Sequence, residues 1–125
     1  MLKSILFVAL ASGIGGVLRF GISHLFAHTP PTSFPWGTFT CNLAGCLLLG
    51  FFYALAEKYQ WLNADVRLML TVGLCGGFTT FSTFINENAL MLKSSHLLLL
   101  FLYIVSSLIL GFAMIVAGHS LARLI

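Results

Sequence analysis

The stretch Thr71-Val72-Gly73-Leu74-Cys75-Gly76-Gly77-Phe78-Thr79-Thr80-Phe81-Ser82-Thr83-Phe84 sets a glycine pair and a run of hydroxyl side chains inside an otherwise apolar segment. Glycines weaken helix continuity, and Ser and Thr hydroxyls can bond carbonyls that an interruption releases. Carbonyls freed at mid-membrane depth are hard oxygen ligands, suited to a small cation such as Na⁺. The competing reading is tight packing, because Gly, Ser and Thr let transmembrane backbones approach closely. The cluster as a whole favours a helix broken near its middle with an ion held at the break. Phe81 and Phe84 are spaced i,i+3, so their rings fall near one helical face. An aromatic ring has a positive edge, and edges turned into a pore could solvate a small anion; the ordinary role for such a pair is core or lipid contact.

The second apolar stretch repeats this pattern. Thr38 and Asn42 are four apart, and Gly45 follows three residues later, giving one polar and small stripe. An Asn amide offers two N–H donors, suited to a partly dehydrated anion or, equally, to an interhelical hydrogen bond. Tyr103 and Ser107 are again four apart, with Gly111 continuing a small face that either lines a pore or packs. Ser106, on the neighbouring face, reads as a packing residue. Glu87 is the acidic residue expected inside a span, one turn beyond Phe84, where it could cap the pore end. Arg19 lies roughly 22 Å along the first helix, at 1.5 Å per residue, near the far interface. There it either snorkels to headgroups or draws anions into a vestibule. The histidines fall at loops and helix ends without metal-ligand spacing. Cys41, Cys46 and Cys75 lie in apolar segments and read as small buried residues rather than a disulfide framework.

These residues need elements to hold them. The chain has 125 residues, 59% hydrophobic and 7% charged, and a mean hydropathy of +1.04. A soluble domain carries about 25% charge, so water is the wrong solvent for most of this surface. Its six Lys and Arg residues are too scattered for a nucleic-acid patch. A span needs about 20 mostly apolar residues, and four stretches qualify, at about 4–26, 36–56, 66–92 and 97–122. They make a single four-helix transmembrane domain, residues 1–125. The apolar N-terminal run continues through Gly13, Gly15 and Gly16 without a small-residue cleavage site, so it reads as a retained first helix. The connection 28–35 holds all three prolines. Connection 57–65 carries Tyr59 and Trp61 at interface depth, and Lys93-Ser94-Ser95-His96 reads as a tight hairpin. With four spans, both termini share a side. Lys3, Lys58, Arg67 and Arg123 lie on it, against Lys93 and Arg19 on the other. The positive-inside rule favours cytoplasmic termini only slightly, which leaves room for insertion in both orientations.

The Gly73–Phe84 stretch resembles the signature of the CrcB/Fluc fluoride channel family, as do Gly37-Thr38 with Asn42 and Gly45, and Gly13 and Gly15 followed by Arg19. Length, span number and motif order fit over essentially the whole chain. The resemblance implies a non-enzymatic, dual-topology homodimer in the bacterial inner membrane. Two antiparallel subunits would form two fluoride pores and let F⁻ leave the cytoplasm passively. Carried onto this chain, it assigns backbone oxygens of Gly76 and Thr79 to a structural Na⁺ at the dimer centre. Phe81 and Phe84 would supply ring edges, Asn42 an amide donor, and Ser82, Thr83, Tyr103 and Ser107 the polar lining. Thr38 and Glu87 would stand at its ends and Arg19 in the vestibule. The match is looser in the first span, where Ser12 stands where a glycine is common, and in the fourth, which has no strong motif.

A small proton-coupled multidrug-type transporter is the main alternative. It needs a membrane-embedded acid, and the first span has none. An intramembrane hydrolase would need a nucleophile with a base in reach, and Ser82 has no mid-span His beside it in sequence. A non-transporting assembly subunit is the third alternative.

Overall fold

The computed structural model describes residues 1–30 and 32–125; Pro31, part of the first expected connection, lies outside the described residues. The chain is all-helical, with no strand among the described residues. Helix α1 spans Leu2–Leu25 and α2 spans Trp36–Lys58. The third apolar segment comprises a short α3 (Ala64–Leu68), a π-helical run (Met69–Cys75), a single turn α4 (Gly76–Phe78) and α5 (Phe81–Lys93). Helix α6 spans Leu97–Leu124. Among the described residues, four helical stretches are long and apolar enough to cross a membrane: Leu2–Leu25, Trp36–Lys58, Ala64–Lys93 and Leu97–Leu124. This is a multi-pass membrane protein, and its helices start and stop within a few residues of the expected spans.

Local chemistry explains the boundaries. Asn63 accepts from the Val66 amide at 3.0 Å and opens α3 as its N-cap. The α5–α6 hairpin closes at Ser94-Ser95-His96. Ser95 adopts φ 59°, while the His96 amide reaches back to the Met91 carbonyl at 2.9 Å. At the middle of the third segment, Thr79 (φ −85°, ψ 161°) and Thr80 (φ −150°, ψ 123°) are extended. The Thr79 amide and hydroxyl both donate to the Cys75 carbonyl at 3.0 Å and finish α4. The Thr80 hydroxyl accepts from the Thr83 amide at 3.3 Å and starts α5. One threonine closes a helix and the next opens another.

Glycine sets how closely the layers approach. A Cβ on Gly15 would overlap the Leu74 carbonyl, and one on Gly77 would overlap the Ser12 carbonyl. Helix α1 therefore lies backbone to backbone on the π-helical run and α4. The longest seam joins α2 to α6, where Gly50 meets Ile115 and Gly118 meets Leu47 in the same manner. Such small-residue contacts are how helices associate in lipid, where apolar burial supplies no drive. The hydrophobic core is correspondingly small. Its main cluster is Phe84, Met91 and Tyr103, with Phe34, Phe39 and Leu100 packed against them. Phe101, Phe112 and Val116 of α6 face outward, as lipid contact requires.

Candidate functional site

The extended pair Thr79–Thr80 is held by α2. Asn42 accepts the Thr80 amide on Oδ1 at 2.8 Å and donates from Nδ2 to the Thr80 carbonyl at 3.1 Å. The side-chain amide thus pairs with both backbone groups of one residue, as a neighbouring strand would. One Nδ2 proton remains, because the amide carries two. Gly45, one turn on, is buried directly under Thr79, and a Cβ there would overlap Thr79 Cγ2. The Thr38–Asn42–Gly45 stripe is therefore the surface on which the middle of the third segment rests.

This arrangement leaves particular carbonyls out of the helical ladder. The Thr80 amide would continue the ladder to Gly76 O, but it donates to Asn42 instead. The Thr83 amide would reach Thr79 O in an unbroken helix, but it donates to the Thr80 hydroxyl. Gly76 is exposed, and Gly76 and Thr79 both line a groove of about 370 Å³. Asn42, Phe81, Phe84 and Ser107 line the same groove. Two hard carbonyl oxygens released together match the donor set a small cation takes.

The rings of Phe81 and Phe84 lie 6.2 Å apart, tilted by 38°, in unlike settings. Phe84 is 9% exposed, and Phe81 is 75% exposed at the groove's rim. Phe84 meets the Tyr103 ring edge to face at 4.9 Å. Tyr103 is fully buried, and its hydroxyl donates to Glu87 Oε1 at 3.4 Å. Glu87 and Thr38 then line a second pocket of about 270 Å³, bounded by Phe34, Trp36 and Met91. A continuous line of contacts, Phe81–Phe84–Tyr103–Glu87, leads from groove to pocket. Ser82 and Thr83 are exposed beside it. The Thr80 hydroxyl lies 3.1 Å from Thr83 Oγ1 and 3.4 Å from Ser82 Oγ.

Arg19 is half-buried, and its Nε–H donates to the Gly77 carbonyl at 3.2 Å. It packs against the third segment and is not among the residues lining either pocket. The cysteines are free thiols, Cys41 and Cys75 buried and Cys46 half-buried, as their small apolar setting suggested. Ser106 donates to the Tyr103 carbonyl of its own helix, a packing role. Thr80 is the site residue that the sequence understated: both its backbone groups and its hydroxyl are engaged. The available signal was its position as an N-cap, Thr80-Phe81-Ser82-Thr83.

A family model described as "CrcB-like protein, Camphor Resistance (CrcB)" matches residues 6–119. The chain is 47% identical over 117 residues, 94% of its own length and 96% of the relative's, to the "Fluoride-specific ion channel FluC" of Phocaeicola vulgatus. It is 41% identical to the protein of that name from Flavobacterium psychrophilum, with 98% of each chain covered. The chain therefore belongs to the CrcB family, a family of ion channels rather than enzymes.

Proposed function

We propose that this chain forms a fluoride-selective channel that lets F⁻ leave the bacterial cytoplasm passively, down its electrochemical gradient. The carrying observation is that one Asn42 amide bonds both the N–H and the C=O of Thr80, while Asn42, Phe81, Phe84 and Ser107 all line a single groove. Relatives of nearly equal length carry the name fluoride-specific ion channel, which supports the substrate.

The chemistry fits a small, strongly hydrated anion. The second Asn42 N–H and the hydroxyls of Ser82, Thr83 and Ser107 replace part of its water shell. The edges of Phe81 and Phe84 favour negative charge over positive. Held in place, these groups need no rearrangement as the ion passes. Glu87, paired to Tyr103 and sharing a pocket with Thr38, forms the far end of the path. A proton-coupled carrier would need a membrane-embedded acid to exchange protons; Leu2–Leu25 contains none, and Glu87, late in the third segment, is bonded to Tyr103.

The working unit in this reading is an antiparallel, dual-topology homodimer whose third spans are functionally broken at Thr79–Thr80. Phe81 is too exposed in one chain to enclose anything; a second copy laid across the groove covers it and closes the path. The same pairing brings Gly76 and Thr79 carbonyls from each subunit together. Their oxygen donor set suits Na⁺, whose charge would hold two negative helix ends together.

Proteoliposomes loaded with fluoride and given an ionophore test this reading. Wild-type protein should discharge them, and protein with both Asn42→Ala and Phe81→Ile should not. Retention of fluoride by wild-type vesicles, or full discharge by the double variant, would refute it.

A further inference from the structure

Ser12, Gly15 and Arg19 occupy one face of α1, at i, i+3 and i+7, and that face lies on the third segment. Gly15 lets the two backbones touch at Leu74 and Phe78. One turn earlier Ser12 Oγ donates to the Gly73 carbonyl at 3.3 Å, and one turn later Arg19 Nε donates to the Gly77 carbonyl at 3.2 Å. The register fixed by Gly15 therefore delivers Arg19 to the carbonyl end of α4.

Gly77 needs that donor. In an unbroken helix its carbonyl would accept from the Phe81 amide, but Phe81 begins α5 beyond the two extended threonines. Four of the five carbonyls from Gly76 to Thr80 divide into two sets. Gly77 O is taken by Arg19 and Thr80 O by Asn42. Gly76 O and Thr79 O lose their ladder donors to Asn42 and to the Thr80 hydroxyl.

We infer that Arg19 is a positioning residue for the cation site. By holding the Gly77 carbonyl on the α1 side, it turns the carbonyls of Gly76 and Thr79 toward the groove. This rests on the sodium reading above and goes beyond a charge that attracts anions. A cation at the carbonyl end of a helical turn also suits its negative pole. The essential feature is the N–H at the ε position of the side chain, rather than the guanidinium charge.

Two substitutions separate those features. Gln carries its amide nitrogen at the same number of bonds from Cα as Arg Nε, so Arg19→Gln keeps the donor and removes the charge. Lys has a methylene at that point, so Arg19→Lys keeps the charge and moves the donor. The measurement is the unfolding midpoint of the detergent-purified protein, titrated with Na⁺ against an organic cation. Wild type should be stabilised by Na⁺, and Arg19→Gln should respond at a similar concentration. Arg19→Lys should need about two- to tenfold more Na⁺, the loss expected for one ordinary hydrogen bond. Fluoride efflux titrated with Na⁺ should follow the same order.

The opposite order, with Arg19→Lys like wild type and Arg19→Gln unresponsive, would assign Arg19 to charge alone and overturn the inference. Equal responses from both variants would overturn it as well. If Arg19→Lys does not purify as a folded species, Arg19→Met, with neither donor nor charge, takes its place: a raised Na⁺ requirement beside a wild-type Arg19→Gln supports the inference, and equal responses from the two end it. Wild-type protein that ignores Na⁺ removes the sodium reading itself, and this inference with it.

Discussion

Replacing Asn42 by Ala removes both hydrogen bonds that hold the Thr80 backbone, at 2.8 and 3.1 Å. Interhelical hydrogen bonds within membranes average about 0.6 kcal/mol, so the pair sets a floor of about 1.2 kcal/mol. A buried peptide N–H and C=O left unmet cost about 1–3 kcal/mol each, which sets a ceiling near 6 kcal/mol. Thr80 is half-buried and borders the groove, so water can reach the orphaned groups and the floor is the better guide. A loss of about 2 kcal/mol follows. If conduction requires the Thr80 geometry, that is about thirty-fold in initial rate, at 1.36 kcal/mol per decade. The assay is fluoride release from proteoliposomes, read with a fluoride electrode at matched protein density, beside the unfolding midpoint of the same preparation. Efflux within twofold of wild type with an unchanged midpoint would mean that Asn42 neither holds the third segment nor meets the ion.

Further outcomes follow from the same contacts. Gly45→Ala drives a methyl into Thr79 Cγ2; overpacking of that kind costs about 1–3 kcal/mol and should lower both the midpoint and its increase with Na⁺. Phe84→Ala empties a buried ring site and should cost about 3–5 kcal/mol in stability. Phe81→Ala alters an exposed ring and should reduce efflux with a far smaller change in midpoint. Asp65→Asn loosens the exposed contact with Lys3 at 3.5 Å. Exposed pairs contribute about 0–1 kcal/mol, so its midpoint should shift within that range and its fluoride efflux should match wild type.

Hydropathy alone made the four helices legible, because lipid demands about twenty apolar residues per span and little else in the chain competes. The hairpin at Lys93–His96 was legible from its polar composition. The interior of the third segment was harder. A glycine pair followed by hydroxyls signals an irregularity, but the single Thr71 and Gly73 of Met69–Cys75 do not tell a π-helical run from an α-helical one. Nor did spacing reveal what each polar side chain touches. The Thr38–Asn42–Gly45 stripe was visible as a surface. That Asn42 pairs with both groups of Thr80, 38 positions away, depends on how α2 meets a backbone that is extended only at that point. Arg19 shows the same limit. Its depth along α1 suggested headgroups or a vestibule, whereas its partner is the Gly77 carbonyl, 58 positions away. That contact is set by the Gly15 approach rather than by Arg19's own neighbours in sequence. Phe81 and Phe84 share a helical face as their spacing requires, yet one is buried against Tyr103 and the other is exposed.

Vesicles carrying fluoride and chloride together, with both anions followed after the membrane potential is released, test the proposed channel most directly. The arrangement of Asn42, Phe81 and Phe84 predicts that fluoride drains through the wild-type protein while chloride stays inside. Loss of both anions at comparable rates, or retention of both, would contradict a fluoride-selective path along this groove.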